Sequence, residues 1–326
     1  MITTTLAGRA SVAAATGAMA ALTLAFTAPA HAETRVTYKS AKSTSSYYQM
    51  AVQIAQAMKA GSNGAIIVTI EESQGSVQNV KEASVRKGNY VFTTPPVLVR
   101  LAQAGKAKFQ PKNPAYDKIR ALFPIPSLTM HYVVRADSGV KTFADLAGKS
   151  FIIGKGSFGA REARKNFKAF GVGDKVKLVN VELSAAGAAL KNGKVDGFAT
   201  AGSWPAPNVI AAGAGTKIRV LSMDDAQIKI TKRTRIVIPK GTYPGVDSDI
   251  VTTSLPVVAY TLSDMPDDVA YQLTKTFWEQ KAKMAKANAW WKGVTPAMLA
   301  AIHGKLHPGA LKYYNEIGVK VPAALQ

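Results

Sequence analysis

Between Phe151 and Phe167 the chain reads FIIGKGSFGAREARKNF: an apolar run, a glycine-serine turn and a helix-forming segment. Backbone N–H groups at such a turn can approach an anion closely, and the helix dipole favours negative charge there. Polar helix starts recur at Ser45–Tyr48, at Ser76 in QGSVQNV and at Ser184 in LSAAGAALKNG. Several such starts, each following an apolar strand, suit a protein that holds something small at its strand ends. Gly154, Gly156 and Gly159 also match G-x-G-x-x-G, and Glu182 stands about where a ribose-binding acid would belong. The unit lies deep inside a chain with an export signal, so a generic anion-binding turn is the preferred reading over a dinucleotide fingerprint.

Other chemistries find little support. The GKS at Gly148–Ser150 lacks the glycine that a P-loop needs at position 143, which is Phe143. Beyond the export signal the histidines are His131, His303 and His307. His303 and His307 are four apart, but Gly304 and Pro308 oppose a helix and no carboxylate neighbours them, so surface or loop histidines are expected rather than a metal site. Ser157 and Ser203 have no evident histidine base, and no G-x-S-x-G occurs. Cysteine is absent, which excludes disulfides, thiolate nucleophiles and Cys-based metal centres. Neither cofactor nor metal is expected, and the chain does not read as an enzyme.

The compartment is written at the N-terminus. Arg9 precedes an alanine-rich apolar stretch, and Ala30-His31-Ala32 supplies an A-x-A cleavage signal, so residues 1–32 read as a signal peptide. The stretch is too weakly apolar for an anchor, and a periplasmic location is expected. The remainder carries 40 basic and 20 acidic residues, a field that attracts anions. Because the lysines are scattered rather than gathered in one arm, a small anion or an acidic protein suits them better than nucleic acid.

At 326 residues the chain suggests two domains. Short strands alternate with helices from Val36 to Leu101 and again from Leu128 to Ser222, which predicts α/β units with parallel, doubly wound sheets. A strand at Val257–Leu262 leads into a helix over Pro266–Ala287, with Asp267 and Asp268 in its first turn, as the macrodipole prefers. The chain would thus leave the first domain near 130 and return near 260, two crossings that make a hinge.

Almost end to end, the chain resembles the TAXI-type solute receptors of TRAP transporters. The resemblance is carried by SSYYQMAVQIAQAM, GSVQNV, HYVVRADSGVKTFADLAGKSFIIG, Gly159-Ala160-Arg161, VDGFATAGSWPAPNVI, LSDMPDDVAYQLTKTFWE and, more specifically, KGTYPG and LHPGALKYYNEIG. It implies a two-lobe type II periplasmic-binding-protein fold, with residues 33–128 and 262–326 in one lobe and 129–261 in the other. It also implies capture of a small carboxylate, glutamate- or 2-oxoglutarate-like, for a TRAP-type integral membrane permease. An exported sensor or adaptor for a membrane signalling protein is the alternative. A two-lobe enzyme such as hydroxymethylbilane synthase is less suited, because it needs a cofactor-bearing cysteine.

The departures cluster at the site. The family's glycine-rich first turn is Lys39–Gln49 here, its Gln-Ser after the third strand is Thr94-Pro95, and its Gly-Ser-Gly-Thr-Arg turn is Ser157–Arg161, with the arginine kept. The expected ligand contacts are Lys42, Ser45, Tyr47, Tyr48, Ser76, Asn79, Thr93, Thr94, Ser157, Gly159, Arg161, Ser203 and Trp204. Arg161 is the expected carboxylate clamp, since a guanidinium presents a bidentate fork. Of Tyr47 and Tyr48, one is expected in the core and the other on the pocket wall. Ser76 and Asn79 read equally as contacts or as helix caps.

Overall fold

Two long strands carry the architecture. The computed structural model describes residues 33–326, which form one compact unit; the signal-peptide reading of residues 1–32 lies outside them. The chain opens with β1 (Thr34–Lys39), α1 (Ser46–Gly61), β2 (Ile66–Glu71), α2 (Ser76–Glu82), β3 (Tyr90–Thr94) and α3 (Pro96–Gln103), then enters the 17-residue β4 (Ile119–Arg135). There follow β5 (Ser150–Ile152), α4 (Phe158–Ala169), β6 (Lys177–Val179), α5 (Ala186–Lys191), β7 (Gly197–Gly202), α6 (Pro207–Gly215), β8 (Ile218–Val220), α7 (Asp225–Thr231) and β9 (Thr234–Ile238). The 13-residue β10 (Ile250–Leu262) returns to the first half, where α8 (Asp267–Ala287) and α9 (Pro308–Glu316) complete it.

The sheet runs β2-β1-β3-β10-β4-β7-β5-β6, with β8 on β4 and β9 on β10. β1 pairs in parallel with β2 and β3, and β5 with β6 and β7, whereas every pairing of β4 and β10 is antiparallel. The expected parallel sheets are therefore mixed. Each half is a parallel wound unit, and the long strands that leave and re-enter it run the other way. Sequence alternation tells that strands and helices follow one another but not which direction a long-range partner takes.

β4 and β10 pair with each other and change partners partway. β4 takes β10 with Ile119–Thr129 and β7 with Thr129–Val134; β10 takes β9 with Ile250–Ser254 and β3 with Val258–Tyr260. At the changeover the register slips, since Leu255 faces Leu128 and Val257 faces Ile125, so Pro256 alone stands opposite Pro126 and Ser127. Proline cannot donate to a ladder and marks bulges and irregular positions. The exchange of partners falls at 126–129 on β4 and 254–256 on β10.

Alternation along the strands divides the core between the faces of the sheet. In the second half Tyr132, Val134 and Phe151 join the main cluster, with Phe167 of α4 packed edge-on to Phe151. Val133, Ile152 and Phe198 face the other way, with Leu190 of α5 and Val209 of α6. In the first half α1 and α8 share a face, and Trp291 beyond α8 is fully buried, its indole donating to Gln53 of α1 at 2.6 Å.

Two histidines do structural service, His131 and His307, the second of which was expected at the surface or in a loop. His131 is fully buried, with Nδ1 3.1 Å from the Thr129 carbonyl and Nε2 2.7 Å from the Tyr243 hydroxyl. Tyr243 belongs to the KGTYPG segment, and its oxygen also accepts the Ala206 N–H at 3.0 Å. The Thr129 carbonyl can only accept, so Nδ1 carries the proton, and in the neutral ring Nε2 accepts the Tyr243 hydroxyl. His307 is likewise buried and accepts the Gly309 N–H at Nδ1, capping α9.

Burial pushes His131 down to about 4. A group depressed on folding stabilises the native state above its unfolded pKa and loses that contribution as pH falls towards the folded value. Between pH 6.5 and 4 the loss from His131 should reach about 3 kcal/mol. Urea unfolding of wild type and His131→Asn over this range should give a shallower decline for the variant; parallel curves would mean that His131 is charged in the fold.

Candidate functional site: a cavity at three helix starts

The cavity is built by three turns that end strands and begin helices. After β1, Ser45 caps α1 by accepting the Tyr48 N–H at 3.2 Å. After β2, Gly75 stands at φ 115°, a conformation that a side chain resists, so α2 begins without a side-chain cap. After β5, Ser157 caps α4 by accepting the Ala160 N–H at 2.9 Å. The first N–H groups of a helix have no partner within it, so each turn brings free donors and the positive end of a dipole to the same place.

Between these starts lies a cavity of about 40 Å³, lined by Lys42, Ser45, Tyr47, Gln74, Ser76, Leu128, Lys155, Ser157, Phe158, Gly159, Leu183 and Ala201 among others. It has room for a few water molecules. The wall draws on both halves of the molecule, and Leu128 of β4 forms its floor at the changeover.

Six expected contacts meet at this cavity: Lys42, Ser45, Tyr47, Ser76, Ser157 and Gly159. Tyr47 is buried and donates to the Pro126 carbonyl at 3.0 Å, while Tyr48 is half-buried away from the cavity. Thus Tyr47 is both core and wall. Gly159 has a steric reason to be glycine, since an added Cβ would lie 2.9 Å from the Cβ of Ala201 and 3.2 Å from its backbone nitrogen.

The other expected contacts point elsewhere. Asn79 is fully buried, and its amide donates to the carbonyls of Ser40 at 2.6 Å and Thr93 at 2.9 Å, tying the ends of β1 and β3 together. Thr93 donates to the Tyr38 hydroxyl at 3.0 Å beneath the strand end, and Thr94 is buried beside it. Ser203 donates to the Ser127 carbonyl at 2.8 Å, and with Trp204 it lines a separate groove of about 560 Å³. That groove holds Ser127 and Thr129, whereas the cavity holds Leu128, so the two lie on opposite faces of β4.

Arg161 does not line the cavity. Its guanidinium meets Glu162 at 2.6 Å, and the fully buried Glu162 also takes both Nε and Nη2 of Arg233, at 3.0 and 3.1 Å. Helix geometry explains this. Arg161 is two residues past Gly159 and so is turned about 200° from it.

The charged groups at the cavity are others. Lys42 pairs with Glu182 at 2.7 Å, and the Gln74 amide donates to the same carboxylate. These two partners hold the Glu182 carboxyl below the usual range. Lys155, within the G-x-G turn, also lines the cavity. Glu182, which fits a ribose-binding acid by position, therefore spans the cleft to the first half. Gln74, Lys155 and Leu183 were absent from the expected contacts; their signal was adjacency to Ser76, Ser157 and Glu182. Among the described residues no group of three or more His, Asp or Glu could hold a metal ion.

The sequence profile of the NMT1-like family matches residues 39–318. This chain belongs to the NMT1-like family. Its fold is that of the two-lobe periplasmic binding proteins: the periplasmic binding protein BugD superposes with a TM-score of 0.59 at 11% identity, over 89% of this chain and 99% of BugD. Looser matches are the alkanesulfonate-binding protein SsuA from Xanthomonas axonopodis pv. citri bound to MOPS and the arginine-bound truncated ArgBP from T. maritima. SsuA has a TM-score of 0.46 at 15% identity, over 90% of this chain and 96% of that one. ArgBP has a TM-score of 0.46 at 15% identity, over 75% and 95%. At these identities the likeness is one of fold. Among the described residues of this NMT1-like chain, no helix is long and apolar enough to cross a membrane.

The Gly159 contact gives a direct test of how tightly α4 is seated on β7. Gly159→Ala should force the helix start away from Ala201 and cost about 1–3 kcal/mol, as overpacking does. Thermal unfolding reads the loss; a melting temperature equal to wild type would mean that the helix start is free to move.

Proposed function

We propose that this protein is an exported receptor that captures a small anionic solute between its two lobes and hands it to a TRAP-type membrane permease. The lobes are residues 33–128 with 262–326 and residues 129–261, and no bond is made or broken in the solute. One observation carries the reading: three helix N-termini, two from one half and one from the other, meet at a single cavity flanked by Lys42 and Lys155. Fixed N–H donors and dipole ends favour an anion. Membership of the NMT1-like family, the periplasmic-binding-protein fold and the A-x-A signal at Ala30–Ala32 support export and capture. The resemblance to TAXI receptors supports a carboxylate such as glutamate or 2-oxoglutarate and the TRAP-type partner.

In this reading Lys42 and Lys155 receive the carboxylate, and Ser45, Ser76 and Ser157 with the first amides of their helices complete the contacts. Arg161 acts on Glu162 and stands outside the contact set. A charge-assisted hydrogen bond contributes roughly 1.5–3 kcal/mol, so Lys42→Ala should weaken binding at least tenfold, and Arg161→Ala should leave it within about threefold. Calorimetry with the carboxylates selected by a thermal-shift screen decides. A larger loss from Arg161→Ala than from Lys42→Ala would restore the clamp to Arg161.

A cavity of about 40 Å³ admits no dicarboxylate until the halves part. The hinge at 126–129 and 254–256 allows that motion, and the ligand then draws the halves together. Small-angle scattering should give a smaller radius of gyration with saturating ligand than without. An equal radius would place capture outside this cleft.

A further inference from the structure

A second concentration of positive charge lies outside the cavity just described. Arg100 on α3, His303 beyond α8 and Arg233 before β9 line one pocket of about 260 Å³, whose remaining wall includes Pro95, Leu255 and Pro256. It shares no residue with the three-helix cavity. No carboxylate lines it, and among the described residues none lies within ion-pair distance of Arg100.

The charge around this pocket is poorly balanced. Glu162 is the one acid that faces Arg233, and it is shared with Arg161. Glu162 occupies Nε and Nη2 of Arg233, which leaves Nη1 for another acceptor. Lys165 is held below its usual pKa first by burial; the charge of Glu162 opposes this, while those of Arg233, Arg161 and Lys232 push the same way as burial. The His303 imidazole is held below its usual pKa by burial and then by the charge of Arg100. Cations gathered around an open pocket without enough counter-charge lower their mutual repulsion by taking up an anion.

We propose that the pocket of Arg100, Arg233 and His303 is a second ligand site, for a compact organic dianion with a phosphonate or phosphate-monoester head group. The head sits between the two guanidinium groups, which suit oxyanions by their planar donor forks. The apolar body lies against Pro95, Leu255 and Pro256. Arg100 belongs to the first half and Arg233 to the second, so an occupant bridges the halves beside the hinge and adds to their closure. The site is independent of the carboxylate reading of the three-helix cavity.

Phenylphosphonate is a suitable probe, with inorganic phosphate testing the apolar wall. Calorimetry should give saturable binding of phenylphosphonate, tighter than phosphate. Arg100→Ala should weaken it about tenfold or more, since Arg100 is exposed and its loss leaves the fold intact. Lys42→Ala should leave it unchanged, which separates this site from the three-helix cavity. In NMR titrations the His303 pKa should rise when phenylphosphonate binds, because the dianion offsets Arg100; Asp117, Arg120 and Lys305 line the pocket on the other side of His303 and are present in both arms. The proposal is overturned if phenylphosphonate fails to bind at millimolar concentration, or if Arg100→Ala binds within twofold of wild type. It is also overturned if Lys42→Ala abolishes binding, or if the His303 pKa does not move.

Discussion

The antiparallel pairing of β4 with β10 is the constraint on which the other features depend. Both strands run through both halves, so neither half closes its sheet without them. Their pairing slips twice, where Pro256 faces Pro126 and Ser127 and again between Ala259 and Tyr260, and the first slip coincides with the exchange of partners. With two of three residues there unable to donate, the ladder is weaker at that point than in its regular stretches. The same slip sets which side chains face which way: Leu128 floors the cavity, and its neighbours Ser127 and Thr129 face the groove behind. Register, the partner exchange of both strands and the cavity lining are thus one arrangement.

The cavity depends on strand ends being held in place, and much of the polar chemistry near it serves that end. Asn79 ties β1 to β3, Ser73 accepts the Gly75 N–H at 2.9 Å, and Ser157 closes the turn before α4. In the second half, Tyr243 links His131 on β4 to the backbone at Ala206. These buried hydrogen bonds fix where the helix starts point, so donors meet a ligand without first being ordered.

Much of the fold could be read from the residues, and the failures have physical causes. Glycine and serine at the turns announced the starts of α1, α2 and α4, because those residues supply the required φ values and caps. β4 begins well before Leu128, where the sequence predicts the alternation to resume, because Pro124 and Pro126 interrupt the apolar run; Pro124 pairs with Val258 and Pro126 stands at the slip. α7 and β9 went unread because IKITKRTRIVI mixes charge with β-branched residues in neither helical nor strand period. Along the cavity wall, Ser45, Ser76 and Ser157 are legible from local signals, whereas the direction of Arg161 depends on the two residues, about 200° of helix, that separate it from Gly159. Asn79, Thr93 and Ser203 carry polar groups that the sequence could not distinguish from ligand contacts, because their partners are carbonyls and hydroxyls distant in sequence.

The Lys42–Glu182 pair gives the cleft an internal counter-ion. Under the proposed function, an anion arriving at Lys42 would trade one ion pair for another rather than neutralise a bare charge. Added salt screens the pair that is broken and the pair that is formed alike. Affinity at this site would then vary little with ionic strength despite the strongly basic character of the chain, while the rate of encounter, set by the long-range field, would slow as salt rises.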